Sequence, residues 1–366
     1  MQVLIFALAC FVSAELGQLG APATSPTLAL YWPSTGLVFA ILLSRPRSAW
    51  PPVIVVSIAA TWLSLAVHGR PLLISASAAL ITGLDALLAA TLVRSMIREP
   101  FVLDRVSHTA VFLLASLAAP AVGGLFAGLT TVPATMSMGE SWLDWVLSEA
   151  IGILAVAPLV ITALRPDRPL AHLRPGKVIE VAAATVAAIA LAAAIFGSWA
   201  PQALRVPAYV LPFLLWPAIR FGAGAASVTV FAVCPIVLWF AVQADSPLAQ
   251  LGPDDILLRS HGGMVAAAFT VLLLASVVSE RKRIAGERDV LVTELQQALA
   301  EIKTLRGFIP LCAWCHKVRD DAGFWQEIEH YLDERTDATI SHGICPACIE
   351  KQTREIQEHG ADRALR

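Results

Sequence analysis

Charged residues are scarce in this 366-residue chain, and their scarcity argues against a soluble globular protein. Only 15% of the residues are Asp, Glu, Lys or Arg, whereas 57% are hydrophobic. Soluble domains hold about 25% charged residues. The charges nearly balance, with a formal net charge of -2, and no basic block predicts nucleic-acid binding. The composition therefore indicates a multi-pass membrane protein.

A catalytic domain of ordinary size is also missing from the charged C-terminal part. Only 86 residues follow Glu280, whereas catalytic domains of signalling enzymes are units of roughly 100 residues or more. No glycine-rich phosphate-binding loop occurs in the sequence. We therefore expect that the protein is not an enzyme.

Ten apolar segments approach the length of about 20 residues that a helix needs to cross a bilayer. They predict an all-α polytopic membrane protein of eight to ten transmembrane helices, which would occupy residues 1–279 and contact membrane lipids. The segments are residues 2–19, 26–44, 49–67, 72–93, 108–131, 143–164, 178–198, 206–221, 223–243 and 261–279.

Lysine and arginine are distributed unevenly between the predicted loops. Thirteen lie in the loops that follow even-numbered segments and three in the opposite loops, and cytoplasmic loops carry the excess. The bias therefore predicts that both termini are cytoplasmic. The thirteen are Arg45, Arg47, Arg94, Arg98, Arg105, Arg165, Arg168, Arg174, Lys177, Arg220, Arg281, Lys282 and Arg283, and the three are Arg70, Arg205 and Arg259.

Four acidic residues, Glu15, Asp85, Glu149 and Glu180, lie within or near the predicted spans. Carboxylates inside a bilayer are costly and are often functional. Asp85 and Glu149 lie deepest, and they are expected either to bind a cation or polar ligand or to pair with a neighbouring helix. Glu180 is close to Lys177 near the cytoplasmic interface and is expected to snorkel or to pair there.

Proline and tryptophan mark two further kinds of position. The run "YWPSTG" at residues 31–36 places Pro33 after Trp32 inside a predicted span, where it would line a cavity, form a kink or make a close helix contact. Four other tryptophans fall at predicted span ends and are expected to anchor in the headgroup region. These four are Trp50, Trp142, Trp145 and Trp199.

Three motifs, in this order, resemble the first class of bacterial membrane-associated sensor (MASE) domains. They are "YWPSTGLVFAILLSRPRSAWPP", "WLDWVLSEAIGILAVAPLVI" and "LPFLLWPAIRFGAGAASVTV". The resemblance covers approximately residues 1–280. It implies an inner-membrane input module that senses an unknown signal and passes it to a cytoplasmic output. Candidate sensing residues are Trp32, Pro33, Asp85, Glu149 and Arg220.

A heptad pattern continues from the last predicted span and defines a linker at residues 280–306. Positions spaced alternately by four and three residues are typical of a coiled coil. We expect a homodimer through residues 284–305, the alternative being a single amphipathic helix that lies on another surface. The pattern consists of Ile284, Arg288, Leu291, Leu295, Ala298, Ile302 and Leu305.

The remaining segment, residues 307–366, contains two CxxC pairs. Cys312 and Cys315 precede Cys345 and Cys348 by 29 intervening residues. Two such thiolate pairs can complete a tetrahedral Zn²⁺ site, and a module this small needs a metal for stability. We predict a structural Zn²⁺ module with an α(+β) fold, with iron as the alternative metal.

The segment "FIPLCAWCHKVRDDAGFWQEIEHYLDERTDATISHGICPAC" also resembles an uncharacterised four-Cys module of bacterial signalling proteins. Its charged stretch is a candidate docking surface for a cytosolic signalling protein. That surface would comprise Lys317, Arg319, Asp320 and Asp321. The sequence thus predicts a membrane sensor or adaptor, the alternative being a transporter or channel with a regulatory tail.

Overall fold

The computed structural model describes residues 2–18, 31–130, 137–165, 175–197, 207–241, 258–306, 309–335 and 340–363. Packing divides the chain into two compact units, Met1–Gly286 and Glu287–Arg366. The first unit is a bundle of apolar helices, and the second contains the end of a long helix and a small mixed module. The predicted all-α membrane architecture is confirmed.

Each of the ten predicted apolar segments contains an α-helix. Seven helices in the described residues are long and apolar enough to cross a membrane. The other three, α1, α2 and α8, have 17, 12 and 11 residues. At 1.5 Å per residue, a 12-residue helix covers about 18 Å of a hydrocarbon core about 30 Å thick. The ten helices are α1 (Gln2–Gln18), α2 (Pro33–Ser44), α3 (Trp50–Val67), α4 (Leu72–Met96), α5 (Val106–Thr130), α6 (Met138–Leu164), α7 (Pro175–Phe196), α8 (Leu211–Phe221), α9 (Ala223–Ala241) and α10 (Gly263–Arg306).

The second predicted span is shortened because α2 begins at Pro33. Proline suits the first position of a helix, where no N–H needs an intrahelical partner. The preceding Trp32 is not helical, and its N–H donates to the Ser148 carbonyl of α6 at 3.3 Å. The proline run that we predicted inside a span is therefore the first turn of α2.

The predicted headgroup tryptophans that the structure describes donate hydrogen bonds within the protein. The indole N–H of Trp50 donates to the Leu42 carbonyl at the end of α2, at 2.9 Å. Trp142 donates to a backbone carbonyl of α5 at 2.8 Å, and Trp145 donates to a buried carboxylate. Trp199 lies outside the described residues. Each of these three indoles therefore has a protein acceptor for its N–H, and the anchor role at the headgroups stays a prediction.

Helix α6 lies at the centre of the bundle and packs against α2, α5 and α9. Every residue from Asp144 to Pro158 is buried. Glycines allow α2 to approach closely, because a Cβ on Gly36 would lie 2.9 Å from the Gly152 carbonyl carbon and closer to its oxygen. Small residues at a crossing permit such contact between membrane helices.

Helix α10 is continuous for 44 residues, about 66 Å at 1.5 Å per residue. Val271, Leu272 and Ala275 of its first half belong to the bundle core. Along the predicted heptads, the described side chains are exposed, including Leu291 and Leu295 at 64% and 62%. The last span and the predicted linker are therefore one helix.

The tail module contains a two-stranded antiparallel hairpin and two helices. Strands β1 (Val318–Arg319) and β2 (Trp325–Gln326) pair, and α11 (Ile328–Arg335) and α12 (Pro346–Arg363) follow. Gly323 has a φ of 90°, a backbone conformation that favours glycine in a tight turn.

Candidate functional site

The structure brings two of the predicted intramembrane acids together. Asp85 on α4 is 2% exposed, and Glu149 on α6 is fully buried. The two carboxyl groups interact electrostatically across the α4–α6 contact. Because charges in a bilayer core are costly, this buried acidic centre is the leading candidate for a functional site.

The Asp85 carboxyl is held between α5 and α6. The indole N–H of Trp145 donates to Asp85 Oδ2 at 3.0 Å. On the α5 side, a Cβ on Gly123 would lie 2.5 Å from the carboxyl carbon of Asp85 and closer to its oxygens. Glycine at position 123 is therefore what makes room for this carboxyl group.

The Glu149 carboxyl is only partly satisfied. Thr82 of α4 donates from its hydroxyl to Glu149 Oε1 at 3.1 Å, whereas Glu149 Oε2 has no hydrogen-bond partner. Thr35, in the first turn of α2, faces this carboxyl, yet its Oγ1 also makes no hydrogen bond of normal length. Buried polar atoms without partners are rare, and each calls for an explanation.

The Trp32–Pro33 peptide lies against α6 beside this centre. Its backbone contacts Ser148, next to Glu149, and a Cβ on Gly152 would lie 2.5 Å from the Trp32 carbonyl carbon. The start of α2 is thus fixed against the part of α6 that carries Glu149. Four of the five predicted sensing residues therefore share one region of the bundle.

The fifth predicted residue, Arg220, belongs to a different place. Its Nε pairs with Glu180 Oε1 at 3.2 Å, and Trp216 donates to the same oxygen at 3.3 Å. Glu180 thus has an ion-pair partner, although the partner is Arg220 and not the predicted Lys177. The remaining acid, Glu15, accepts a hydrogen bond from a serine of α3 at 2.6 Å.

Sequence reasoning missed several residues of the acidic centre. Thr35, Thr82 and Gly123 carry no sequence signal of function, because small and hydroxyl residues are common in membrane helices. Trp145 did carry a sequence signal of function. It precedes Glu149 by four residues, so that both side chains lie on one face of α6.

A second cluster of polar contacts lies where α10 leaves the bundle. Glu280 Oε2 accepts from the Val106 N–H at the start of α5, at 2.9 Å. Ser279 Oγ accepts from the Ala223 N–H at the start of α9, at 3.4 Å. Side-chain oxygens at a helix N-terminus satisfy its free N–H groups. Helix α10 therefore caps two neighbouring helices.

Lys282 completes this cluster by donating to the Arg220 carbonyl at the end of α8, at 2.9 Å. Gly222, the residue that follows the end of α8, has a φ of 84°, and a Cβ there would lie 2.5 Å from Ser279 Oγ. A cation at a helix C-terminus is favourable. We call Ser279, Glu280 and Lys282, with the helix ends they contact, the output joint.

The first cysteine pair of the tail forms a tight turn. The Cys312 N–H donates to the Lys317 carbonyl and the His316 N–H to the Cys312 carbonyl, both at 2.9 Å. His316 has a φ of 59°, the left-handed conformation usually taken by glycine. Hydrogen bonds from the backbone of Cys315 and Trp314 lower the pKa of the Cys312 thiol.

The second pair lies at the start of α12, where the Ile349 N–H donates to the Cys345 carbonyl at 3.0 Å. A hydrogen bond from the Cys348 backbone lowers the pKa of the Cys345 thiol. Because the thiolate is the form that binds a metal, a lowered thiol pKa makes each cysteine pair by itself suitable for metal binding. However, no three His, Cys, Asp or Glu side chains in the described part of the chain are grouped to hold a metal ion. Zinc and iron therefore stay predictions.

Two residues of the predicted docking surface serve the fold of the tail. Lys317 pairs with Glu327 at 3.0 Å, and this contact raises the pKa of the lysine. Asp320 Oδ1 accepts from the Phe324 N–H at 2.8 Å and closes the hairpin. Arg319 and Asp321 are exposed.

Comparison with known proteins gave one finding for the first unit and none for the tail. A family model described as MASE1 matches residues 1–283. No curated protein and no solved structure matches the chain.

Proposed function

Because the chain belongs to the MASE1 family of membrane-associated sensor domains, we propose that it is a bacterial inner-membrane sensor or adaptor. In this proposal, the buried acidic centre receives the signal and α10 carries it to the tail. Both termini are cytoplasmic, in keeping with the thirteen-to-three distribution of loop lysines and arginines.

The output joint is the observation that carries this proposal. Asp85 lies against Gly123 of α5, and the first N–H of α5 is held by Glu280 of α10. A shift of α5 against the acidic centre therefore moves a group to which α10 is hydrogen-bonded. Coupling through a contiguous network needs an element that both ends can bias, and α5 has contacts at both ends.

The same proposal explains the exposed apolar stripe on α10. Leu291 and Leu295 lie on the heptad seam and are more than half exposed in the single chain. A second copy of the helix would cover them in a two-stranded coiled coil. The dimer would then transmit a rotation or shift of α10 to the two tail modules. We further propose that the tails are folded around zinc and dock a cytosolic signalling protein.

A transporter has less support. The three acids that would line a polar path are held by different partners, since Glu180 pairs with Arg220 whereas Asp85 and Glu149 form the centre. We therefore retain the sensor as the proposed function.

Disulfide crosslinking in membranes tests both the dimer and the relay. Leu295→Cys on the seam should form a crosslinked dimer upon brief oxidation, and Gln296→Cys on the adjacent face is the matched control. Wild-type protein measures the background from the six native cysteines. Glu280→Ala removes the acceptor of the Val106 N–H and should change the crosslinking rate at position 295 while the protein stays folded. Equal crosslinking at positions 295 and 296 would refute the seam, and an unchanged rate in Glu280→Ala would refute the relay.

A further inference from the structure

The charge of the acidic centre has no counterion among the described residues. Glu149 interacts with Asp85, Thr35 and Thr82, and Asp85 also with Trp145. None of these is a lysine, arginine or histidine. The start of α2 offers about half a positive charge, which is less than two carboxylates would need. The two buried carboxyl groups must therefore be neutralised, either by holding a proton or by binding a cation.

Two oxygens of the acidic centre are poorly satisfied. The Thr35 hydroxyl interacts with the Glu149 carboxyl, but neither Glu149 Oε2 nor Thr35 Oγ1 makes a hydrogen bond of normal geometry, and both side chains are fully buried. The Thr82 hydroxyl uses its hydrogen for Glu149 Oε1, so that its lone pairs are left over. All of these groups are oxygen acceptors or hydroxyls, which suits a hard cation better than an anion.

The close packing restricts the size of the occupant. Gly123 leaves no more room than the Asp85 carboxyl requires, and Gly152 leaves no more than the Trp32 carbonyl requires. Ca²⁺ takes six to eight oxygen ligands and Mg²⁺ retains several waters. A cation that needs fewer ligands and no retained waters suits this tightly packed place better.

We propose that the acidic centre binds one small monovalent cation of the size of Na⁺, with Glu149, Asp85 and Thr35 as oxygen ligands. The cation takes the place of a proton on the carboxyl pair, so that binding releases one H⁺. The cation site is argued independently of the proposed function. Only its consequence, that the cation is the sensed signal, rests on that function. Cation binding itself can be measured without any signalling output.

Thermal unfolding of the full-length protein in phospholipid nanodiscs tests the site. NaCl is titrated against choline chloride at constant ionic strength, because choline is too large for the centre. A ligand that binds only the folded state raises Tm by an amount that grows with concentration relative to Kd. We expect a rise in Tm with Na⁺ and none with choline. At a pH one unit lower, the apparent affinity for Na⁺ should fall by up to tenfold.

Three variants make the test specific. Glu149→Gln should weaken Na⁺ binding at least tenfold, and Glu180→Gln, whose acid pairs with Arg220, is the matched control that should respond as wild type. Thr35→Ala removes a proposed ligand hydroxyl but keeps both carboxyl groups, so the difference between its Tm in NaCl and its Tm in choline chloride should be smaller than that of wild type. It therefore serves if Glu149→Gln does not fold.

Equal Tm values in NaCl and choline chloride would overturn the proposal, as would a response to pH alone. A full Na⁺ response in both Glu149→Gln and Thr35→Ala would also overturn it. Crosslinking of Leu295→Cys in NaCl and in choline separates the two proposals. If Na⁺ raises Tm without changing the crosslinking rate, the site stands and its role as the sensed signal fails. If Glu280→Ala does not change the crosslinking rate but Na⁺ still raises Tm, only the relay through α5 fails.

Discussion

Substitution of Gly152 by alanine tests the contact between α6 and the start of α2. The new Cβ would lie 2.5 Å from the Trp32 carbonyl carbon, whereas carbon atoms in contact are about 3.5–4.0 Å apart. The helix and the Trp32–Pro33 peptide would therefore have to separate by about 1 Å or more. The atom in the way belongs to the backbone, so no side chain can rotate to relieve the overlap.

The expected cost has two parts. Overpacking in a close-packed core costs about 1–3 kcal/mol. Separation would also break the 3.3 Å hydrogen bond from the Trp32 N–H to Ser148, and an unpaired buried group costs about 1–3 kcal/mol. The sum, about 2–6 kcal/mol, predicts a fall in Tm of roughly 4–24 °C.

The assay is thermal unfolding in nanodiscs, with Gly139→Ala on the same helix as the control. A Cβ on Gly139 would meet nothing within 4 Å, and alanine in a helix is about 1 kcal/mol more favourable than glycine. Gly139→Ala should therefore keep or raise Tm. If both variants unfold at the same temperature, α6 does not make the close contact with the Trp32–Pro33 peptide that is described here.

Two further predictions concern the tryptophan cap and the tail. Trp50→Phe keeps an aromatic six-membered ring but removes the indole N–H that donates to the Leu42 carbonyl, so it should lower stability by about 1–3 kcal/mol, measured as Tm. Trp62→Phe, at a half-exposed position of the same helix, should have little effect, and equal shifts would favour the headgroup anchor after all. Metal analysis of full-length protein should find one zinc per chain, lost when Cys312 and Cys345 are both changed to serine and retained in Cys10→Ser. A zinc-free wild type would contradict the metal prediction.

Much of the membrane unit could be predicted from local sequence. The hydrophobic runs and the breaks between them locate all ten helices, because helical hydrogen bonds are local and the bilayer demands apolar side chains. The early Trp-Pro motif and the late Arg-Phe-Gly motif also predicted the family. The predicted length of the second helix was wrong, because a proline inside an apolar run can begin a helix as well as bend one.

The roles of the tryptophans could not be predicted in the same way. Trp50 and Trp145 lie near helix ends, where an indole can face either the headgroups or a buried acceptor. The choice depends on whether another helix brings an unpaired oxygen within reach. For Trp145, that oxygen belongs to Asp85, 60 residues away along the chain.

The sequence by itself determined that this protein is a helical membrane protein with a charged tail, because burial in lipid depends on composition and length. It also identified Asp85 and Glu149 as unusual, because a carboxyl group in an apolar helix is costly wherever that helix packs. Only the tertiary structure decided that the two acids share one buried centre, that Arg220 lies elsewhere, and that Glu280 ties α10 to α5. Those facts depend on which helices touch, and the free energy of packing is set by contacts between distant segments.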